Sequence, residues 1–349
     1  MTSRKAALGL GLALAAAPAV ASAHVKWFVD PAGYPLRTDL ILSSRTALLA
    51  GCGAAAVLIM WLLSRLAGDP HWPELPFLNK MAIGAPTLLA VQSAITLIYA
   101  AVQPTLFAPH LRLPNGLLGY GIAAAEVLTG FCFITGIADW VACLALLALV
   151  AATFALFPVF DALDQLYWAG IALAVLIIGR FAADARQARG WFHERSQVWA
   201  ARGVAALRVI AGIGIVAPGL SEKVWDPELG AAFMTDHPNF NFFRLMGVDW
   251  VNDDQFVLLA GIAECTIGIL LISGLLTRVV ICGMWLPFNI TVPFLPPTEL
   301  IGHLPIFGIM YFLLVHSAGL VPGEADRIVP PGIRPTREEV RLQKELAGS

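Results

Sequence analysis

Charge is what this chain has least of. Only 13% of its 349 residues are Asp, Glu, Lys or Arg, where soluble domains carry about 25%. With 58% hydrophobic residues and a mean hydropathy of +0.76, the composition excludes an ordinary soluble domain and specifies a polytopic membrane protein with the lipid bilayer as its first partner. The net charge of −2 gives no reason to expect a nucleic-acid partner. Cysteine is also scarce: Cys52, Cys132, Cys143, Cys265 and Cys282 all fall in apolar stretches and form no C-x-x-C pair, which argues against a dithiol centre or a four-cysteine zinc site. They read as small buried hydrophobes. No haem-ligand pair, iron–sulfur spacing or flavin fingerprint is present.

What is there begins with a targeting pattern. Arg4 and Lys5 precede the apolar run Ala6–Val20, and Ala21-Ser22-Ala23 is an A-x-A cleavage site, so residues 1–23 read as a signal peptide and His24 as the mature N-terminus. An uncleaved helix is the competing reading, weakened by Pro18 and by a run shorter than the roughly 20 residues a span needs. The segment 24–39 is then periplasmic, with Lys26-Trp27-Phe28 suited to the membrane interface. Apolar stretches near 40–66, 81–103, 116–138, 140–160, 166–183, 204–220, 256–276, 279–295 and 303–320 predict nine mature helices. Arg180, Arg186, Arg189, Arg195 and Arg202 mark a basic segment over 180–203, with the linker proper at 184–203, and the tail 321–349 carries Arg327, Arg334, Arg337, Arg341 and Lys344, while 221–254 has only Lys223 and Arg244. The positive-inside rule then places the C-terminus in the cytoplasm and the mature N-terminus outside, in a bacterial inner membrane. In the tail, Thr336-Arg337-Glu338-Glu339 is a capping box that predicts a short amphipathic helix on the cytoplasmic surface.

The chain also repeats. Ala125-Glu126-x-x-x-Gly130 answers Ala263-Glu264-x-x-x-Gly268; Pro158, Asp161, Leu166 and Gly170 answer Pro296, Glu299, Leu304 and Gly308, always 138 residues apart. The expected fold is all-α: two parallel four-helix repeats, 81–183 and 204–320, after one extra N-terminal transmembrane helix at 40–66. The second copy has a longer outer connection: Pro227 to Glu264 is 37 positions, Pro109 to Glu126 only 17. The added residues hold Asp236-His237-Pro238 and several aromatics.

Candidate chemistry centres on Glu126 and Glu264. Each lies about 13–15 Å from the outer end of its helix, at 1.5 Å per residue. A charge at that depth costs about 2.5–3.5 kcal/mol, so an acid there is a functional-site hypothesis, with a neutral Glu hydrogen-bonding two helices together as the structural alternative. Lys223 is the expected countercharge, although a basic side chain at a helix end also snorkels, and Glu222 beside it reads equally well as a solvated rim. Arg208 sits near the cytoplasmic end of the same helix. Glu299 and His303, at i and i+4, share a face that suits a proton relay or a metal; the first copy has Asp161 and Gln165 there, with Asp164 one residue earlier. Helix-dipole stabilisation accounts for Glu299 and Asp161 equally well. A mature N-terminal His24 offers its amine and Nδ1 to one ion, and an imidazole from His110, His237 or His303 would complete a three-nitrogen site suited to copper(II).

Residues 204–318 resemble the DoxX-like membrane family, which includes DoxX, DoxD and the methylamine-utilisation MauE type. The resemblance is carried by Arg208-x-x-x-Gly212, Lys223, Ala263-Glu264-x-x-x-Gly268 and Gly274-x-x-Thr277-Arg278. The first copy keeps Glu126, Gly130 and Gly136 but has Ala90, Thr105 and Trp140 in place of Arg208, Lys223 and Arg278. The resemblance implies a four-helix membrane bundle and redox chemistry at the membrane, with one intact and one degenerate copy. A cofactor would then be a diffusible quinone or belong to a periplasmic or membrane redox partner protein. The expected function is a redox-associated, quinone-linked subunit in which Glu264, together with Lys223, handles protons; a proton-coupled small-solute or ion transporter and a copper-handling protein built on His24 are the alternatives.

Overall fold

The computed structural model describes residues 24–69, 72–73, 75, 77–78, 81–82, 84–179, 196–291 and 297–319. The expected signal peptide, most of the basic linker and the tail from 321 lie outside the described residues, as do His71 and His193. Within them the protein is all-helical, with no strand beyond an isolated bridge between Thr105 and Arg112. We label the helices α1 Ser44–Ala67, α2 Ala85–Val102, α3 Leu117–Thr135, α4 Asp139–Leu156, α5 Val159–Asp164, α6 Tyr167–Ile178, α7 Ser196–Pro218, α8 Pro227–Asp236, α9 Phe242–Leu245, α10 Asp253–Ser273, α11 Thr277–Thr291 and α12 Pro297–His316. A wide π turn, Gly219–Val224, continues α7. Eight spans among the described residues are long and apolar enough to cross a bilayer, with α5 and α6 together making one of them. The chain is a multi-pass membrane protein. The ninth expected span, 279–295, overlaps α11, which at 15 described residues is not among those eight.

Local signals set the helix ends. Gly68, Gly136 and Gly274 take left-handed conformations after α1, α3 and α10, and their N–H groups close the last turns onto Ser64, Cys132 and Leu270. Asn252 and Gln255 form a reciprocal capping box at the start of α10. Leu58, Leu62, Leu128, Trp140 and Leu144 point outward, a surface suited to lipid rather than water. The cysteines divide accordingly: Cys143 and Cys265 are buried, Cys52 and Cys132 are intermediate and Cys282 is exposed. An apolar stretch in a membrane helix has a lipid face as well as a packed one, so burial does not follow from hydrophobic neighbours.

α2 packs on α3, α3 on α4 and α4 on α6; α7 packs on α10, α10 on α11 and α11 on α12. Across the molecule α6 packs on α7 and α12 on α2. Small residues mark the closest approaches. A Cβ on Gly130 would meet the Ala94 carbonyl at 3.1 Å, and one on Gly268 the Gly212 carbonyl at 2.6 Å. Gly170 abuts Leu207 and Ile210 as Gly308 abuts Leu89 and Gln92. The turns Gly136–Ala138 and Gly274–Leu276 carry positive φ at both ends, 74° and 55° in one, 75° and 44° in the other.

The long connection between α7 and α10 folds as α8, a short 3-10 turn and α9. Leu229, Phe233, Phe240, Val251 and Phe256 bury against one another and against Val25, Phe28 and Tyr34 of the N-terminal segment. This segment was expected to anchor at the membrane interface. Instead Val25 is only 2% exposed, and the segment plugs one end of the bundle beneath the α8–α9 cap. The added residues of the second half supply the apolar partners that draw it inward.

Candidate functional site

The π turn builds the core of the site. Pro218 has no N–H to give the preceding turn, and the wider winding that follows leaves Ser221, Glu222, Lys223 and Val224 all buried. Gly219 and Gly261 let this turn lie against α10: a Cβ on Gly261 would stand 2.9 Å from both the Gly219 carbonyl and Lys223 Cβ. The approach brings Lys223 Nζ to 2.8 and 2.7 Å from the two oxygens of Glu264. Both side chains are shielded, at 4% and 5% exposure. A buried ion pair recovers its desolvation cost only when its geometry is good and its remaining valences are met, and two contacts from one ammonium meet the first condition.

The N-terminal segment completes the cluster. The Val25 N–H donates to Glu222 Oε2 at 2.8 Å, and Lys26 Nζ reaches Asp161 at 2.6 Å. His24 Nδ1 faces Asp164 Oδ1 at 3.6 Å, and neither atom has a hydrogen-bond partner among the described residues. Asp164's other oxygen accepts from Gln165 Nε2 at 2.7 Å. Trp27 lies on the bare face of Gly302, where a Cβ would strike its ring, and its ring stacks on His24. His24 stacks in turn on His303, whose Nδ1 is 3.2 Å from Glu299. Five carboxylates, of Asp161, Asp164, Glu222, Glu264 and Glu299, thus share one end of the bundle with two lysines, each already committed to one acid.

Burial, then the nearby His303 and Lys223, hold the His24 imidazole well below its ordinary range, so it is neutral at pH 7. For Lys26 burial opposes the charge, but Glu222 and Asp161 outweigh it and the ammonium is held above its usual value. A cavity of about 870 Å³ opens beside the cluster; Lys26, Trp27, His110, Phe160, Asp161 and Ser221 are among its walls. Its lining mixes charged with aromatic side chains, and Asp164 and Glu222 follow Asp161 and Ser221 by three residues and one in the chain.

The candidate residues therefore separate. Lys223, Glu264, Glu299, His303, Asp161 and His24 come together, and His110 borders the same cavity, with burial lowering its imidazole to about 4 and neither nitrogen hydrogen-bonded among the described residues. Glu126 stands apart. It is fully buried, and one oxygen accepts the Phe107 N–H at 2.9 Å, pinning the α2–α3 loop where Phe107 takes a φ of 67° and stacks on Trp168. Arg208 is at the other end of α7. It donates to the carbonyls of Leu271, Ile272 and Ala318, capping the end of α10 rather than meeting Glu264. Arg278 does the same for α12, through Leu314 and Val315. His237 packs against Phe28 and Phe233, outside the cluster.

Sequence reasoning missed Glu222, Asp164, Lys26 and Trp27. Glu222 was as readily a solvated rim, yet it is 1% exposed. The one available signal was two adjacent charges, Glu222 and Lys223, closing an apolar helix four residues after Pro218. Comparisons with protein-family models, curated proteins and solved structures give no match to this chain.

Proposed function

We propose that this membrane protein handles protons at the His24 end of its bundle in the service of quinone-linked redox chemistry, with a redox partner supplying or taking the electrons. The observation that carries the reading is the buried Lys223–Glu264 pair, clustered with Glu222, His24 and Asp164 and with the Lys26–Asp161 pair that lines the cavity. Such a series leads a proton from an amphiphilic cavity to a mid-helix carboxylate. The cavity suits a quinone headgroup: aromatic sides for the ring, and Lys26, Asp161 and His110 for its oxygens. The DoxX-like resemblance of the second half agrees with this chemistry.

The recurring turns, glycine contacts and helix pairings support two parallel four-helix repeats, since each contact of α2, α3, α4 and α6 has a counterpart in α7, α10, α11 and α12. On this reading the His24 end faces the periplasm, as the charge bias expects. Quinone-analogue binding and quinol-linked turnover are the test, made on the full chain in nanodiscs with its co-purified partner. Glu264→Gln should lower turnover about a hundredfold or more, the usual minimum for loss of a proton-transfer group. Unchanged binding and turnover remove Glu264 from the mechanism.

One observation favours proton-coupled transport as the second reading. The cluster draws Asp161 and Asp164 from α5, Glu222 and Lys223 from the turn after α7, and Glu299 and His303 from α12, so it sits where the halves meet. Carriers built from repeats bind at that place. Proton-driven solute flux into liposomes, abolished by Glu264→Gln, would select transport over the redox role.

A further inference from the structure

We propose that His24, Asp164 and Glu222 bind a single divalent transition-metal ion, copper(II) most tightly. One ligand atom from each residue lies within 4.8 Å of the other two. The separation of His24 Nδ1 from Asp164 Oδ1, 3.6 Å, is too long for a hydrogen bond. It falls between the roughly 3.0 Å of cis and the roughly 4.2 Å of trans ligands held about 2.1 Å from one tetragonal ion. Two atoms of complementary type that face each other in a buried site yet stop short of bonding are arranged around something rather than for each other.

Charge points the same way. Lys26 contacts Asp161 and Lys223 contacts Glu264, so the 3% exposed Asp164 and the 1% exposed Glu222 have no ammonium in direct contact among the described residues and share those two lysines only at longer range, two cations against five acids. Burying such carboxylates uncompensated is costly, and a divalent ion would neutralise both. Each carboxylate is also steadied from behind, Asp164 by Gln165 Nε2 and Glu222 by the Val25 N–H, as metal-binding carboxylates are. Trp27 and His303 each stack on the His24 ring and lie 5.3 Å from one another, so the three rings form one cluster that restrains the imidazole plane. A set of one imidazole and two carboxylates is a borderline donor set, and within the divalent series copper(II) binds such sites most strongly. The cavity is lined by Lys26, Asp161 and Ser221, each within three residues of one of the ligands. The site stands whether or not protons pass through it to a quinone.

The test is metal titration of the full chain, purified in detergent, stripped with a chelator and offered copper(II) and zinc(II) salts separately. One copper ion per chain is expected, with an electron paramagnetic resonance spectrum showing coupling to an imidazole nitrogen. Asp164→Asn and Glu222→Gln keep the side-chain volume and an acceptor oxygen, and each should weaken copper binding at least about tenfold. His237→Ala, outside the cluster, should leave it unchanged. The absence of stoichiometric copper binding by the wild-type chain, or a bound copper with no nitrogen coupling, would overturn the site without any variant having to fold. Undiminished binding in the folded Asp164→Asn/Glu222→Gln double variant would overturn it as well.

Discussion

Glu264 and Glu126 lie 138 residues apart in sequence, each buried well inside a helix, and they differ in what meets the carboxylate. Glu264 receives an ammonium on both oxygens. Glu126 receives one backbone N–H, from a loop residue held at positive φ, and its second oxygen has no hydrogen-bond partner among the described residues. The first acid is tied to a cluster of ionisable groups and a cavity; the second is tied to the shape of a loop. An acid's depth in a membrane therefore says little about its work. Its counter-group decides, because in a low-dielectric interior an ammonium partner preserves the ionised form whereas a lone amide does not compensate a full charge.

Lys223→Met is the substitution that bears hardest on this contrast. It leaves Glu264 buried without its cation, and removal of one member of a buried pair costs about 3–5 kcal/mol. Unfolding in mixed micelles would measure the loss. Adding Glu264→Gln to Lys223→Met should restore most of it, since no charge then remains to be compensated. If the single and double variants are equally unstable, the pair is not what holds the π turn on α10.

The first half should reveal its own sensitivity through pH rather than through an ion pair. His110 lies in the loop that Glu126 pins, and burial lowers its imidazole to about 4. An exposed histidine titrates near 6.5, so the neutral ring's contribution to stability is fully present above that value and is lost as pH falls through 6.5 toward 4. The loss at pH 4 would reach roughly 3 kcal/mol for a shift of that size. Hydrogen exchange across residues 103–116 should quicken over this window, and His110→Gln should flatten the response. Exchange that is indifferent to pH in the wild-type chain would break this part of the contrast.

The spans, the all-helical class and the two buried acids were legible in the sequence because hydropathy and spacing encode them directly. Lys223 as countercharge was legible too, from its place at the end of the same helix as Arg208. What could not be read was convergence. Lys26 and Trp27 come inward only because the α8–α9 cap offers Phe233, Phe240 and Phe256 for the N-terminal segment to bury against. Glu222 turns inward only because the turn after Pro218 is wide and Gly261 admits it. The matching position in the first half is Ala123, whose methyl group would refuse such an approach, and no lysine arrives there. Arg208 illustrates the opposite limit: its residue type suggested a partner for an acid, while its position at the far end of α7 made it a cap for carbonyls.

The smallest expected effect is the most discriminating. Glu126→Gln keeps a side-chain oxygen to accept the Phe107 N–H and removes only a proton or a charge, so its cost should stay below about 1 kcal/mol, the net worth of one ordinary hydrogen bond. The same exchange at Glu264 strands the Lys223 ammonium and should cost several times more. Glu126→Leu, which deletes the acceptor, should release the loop at Phe107 and raise hydrogen exchange there while the Lys223–Glu264 end stays protected. Equal costs for the two glutamine variants would mean that Glu126 also works as a charged group, and the difference between the halves would then lie in their loops and not in their acids.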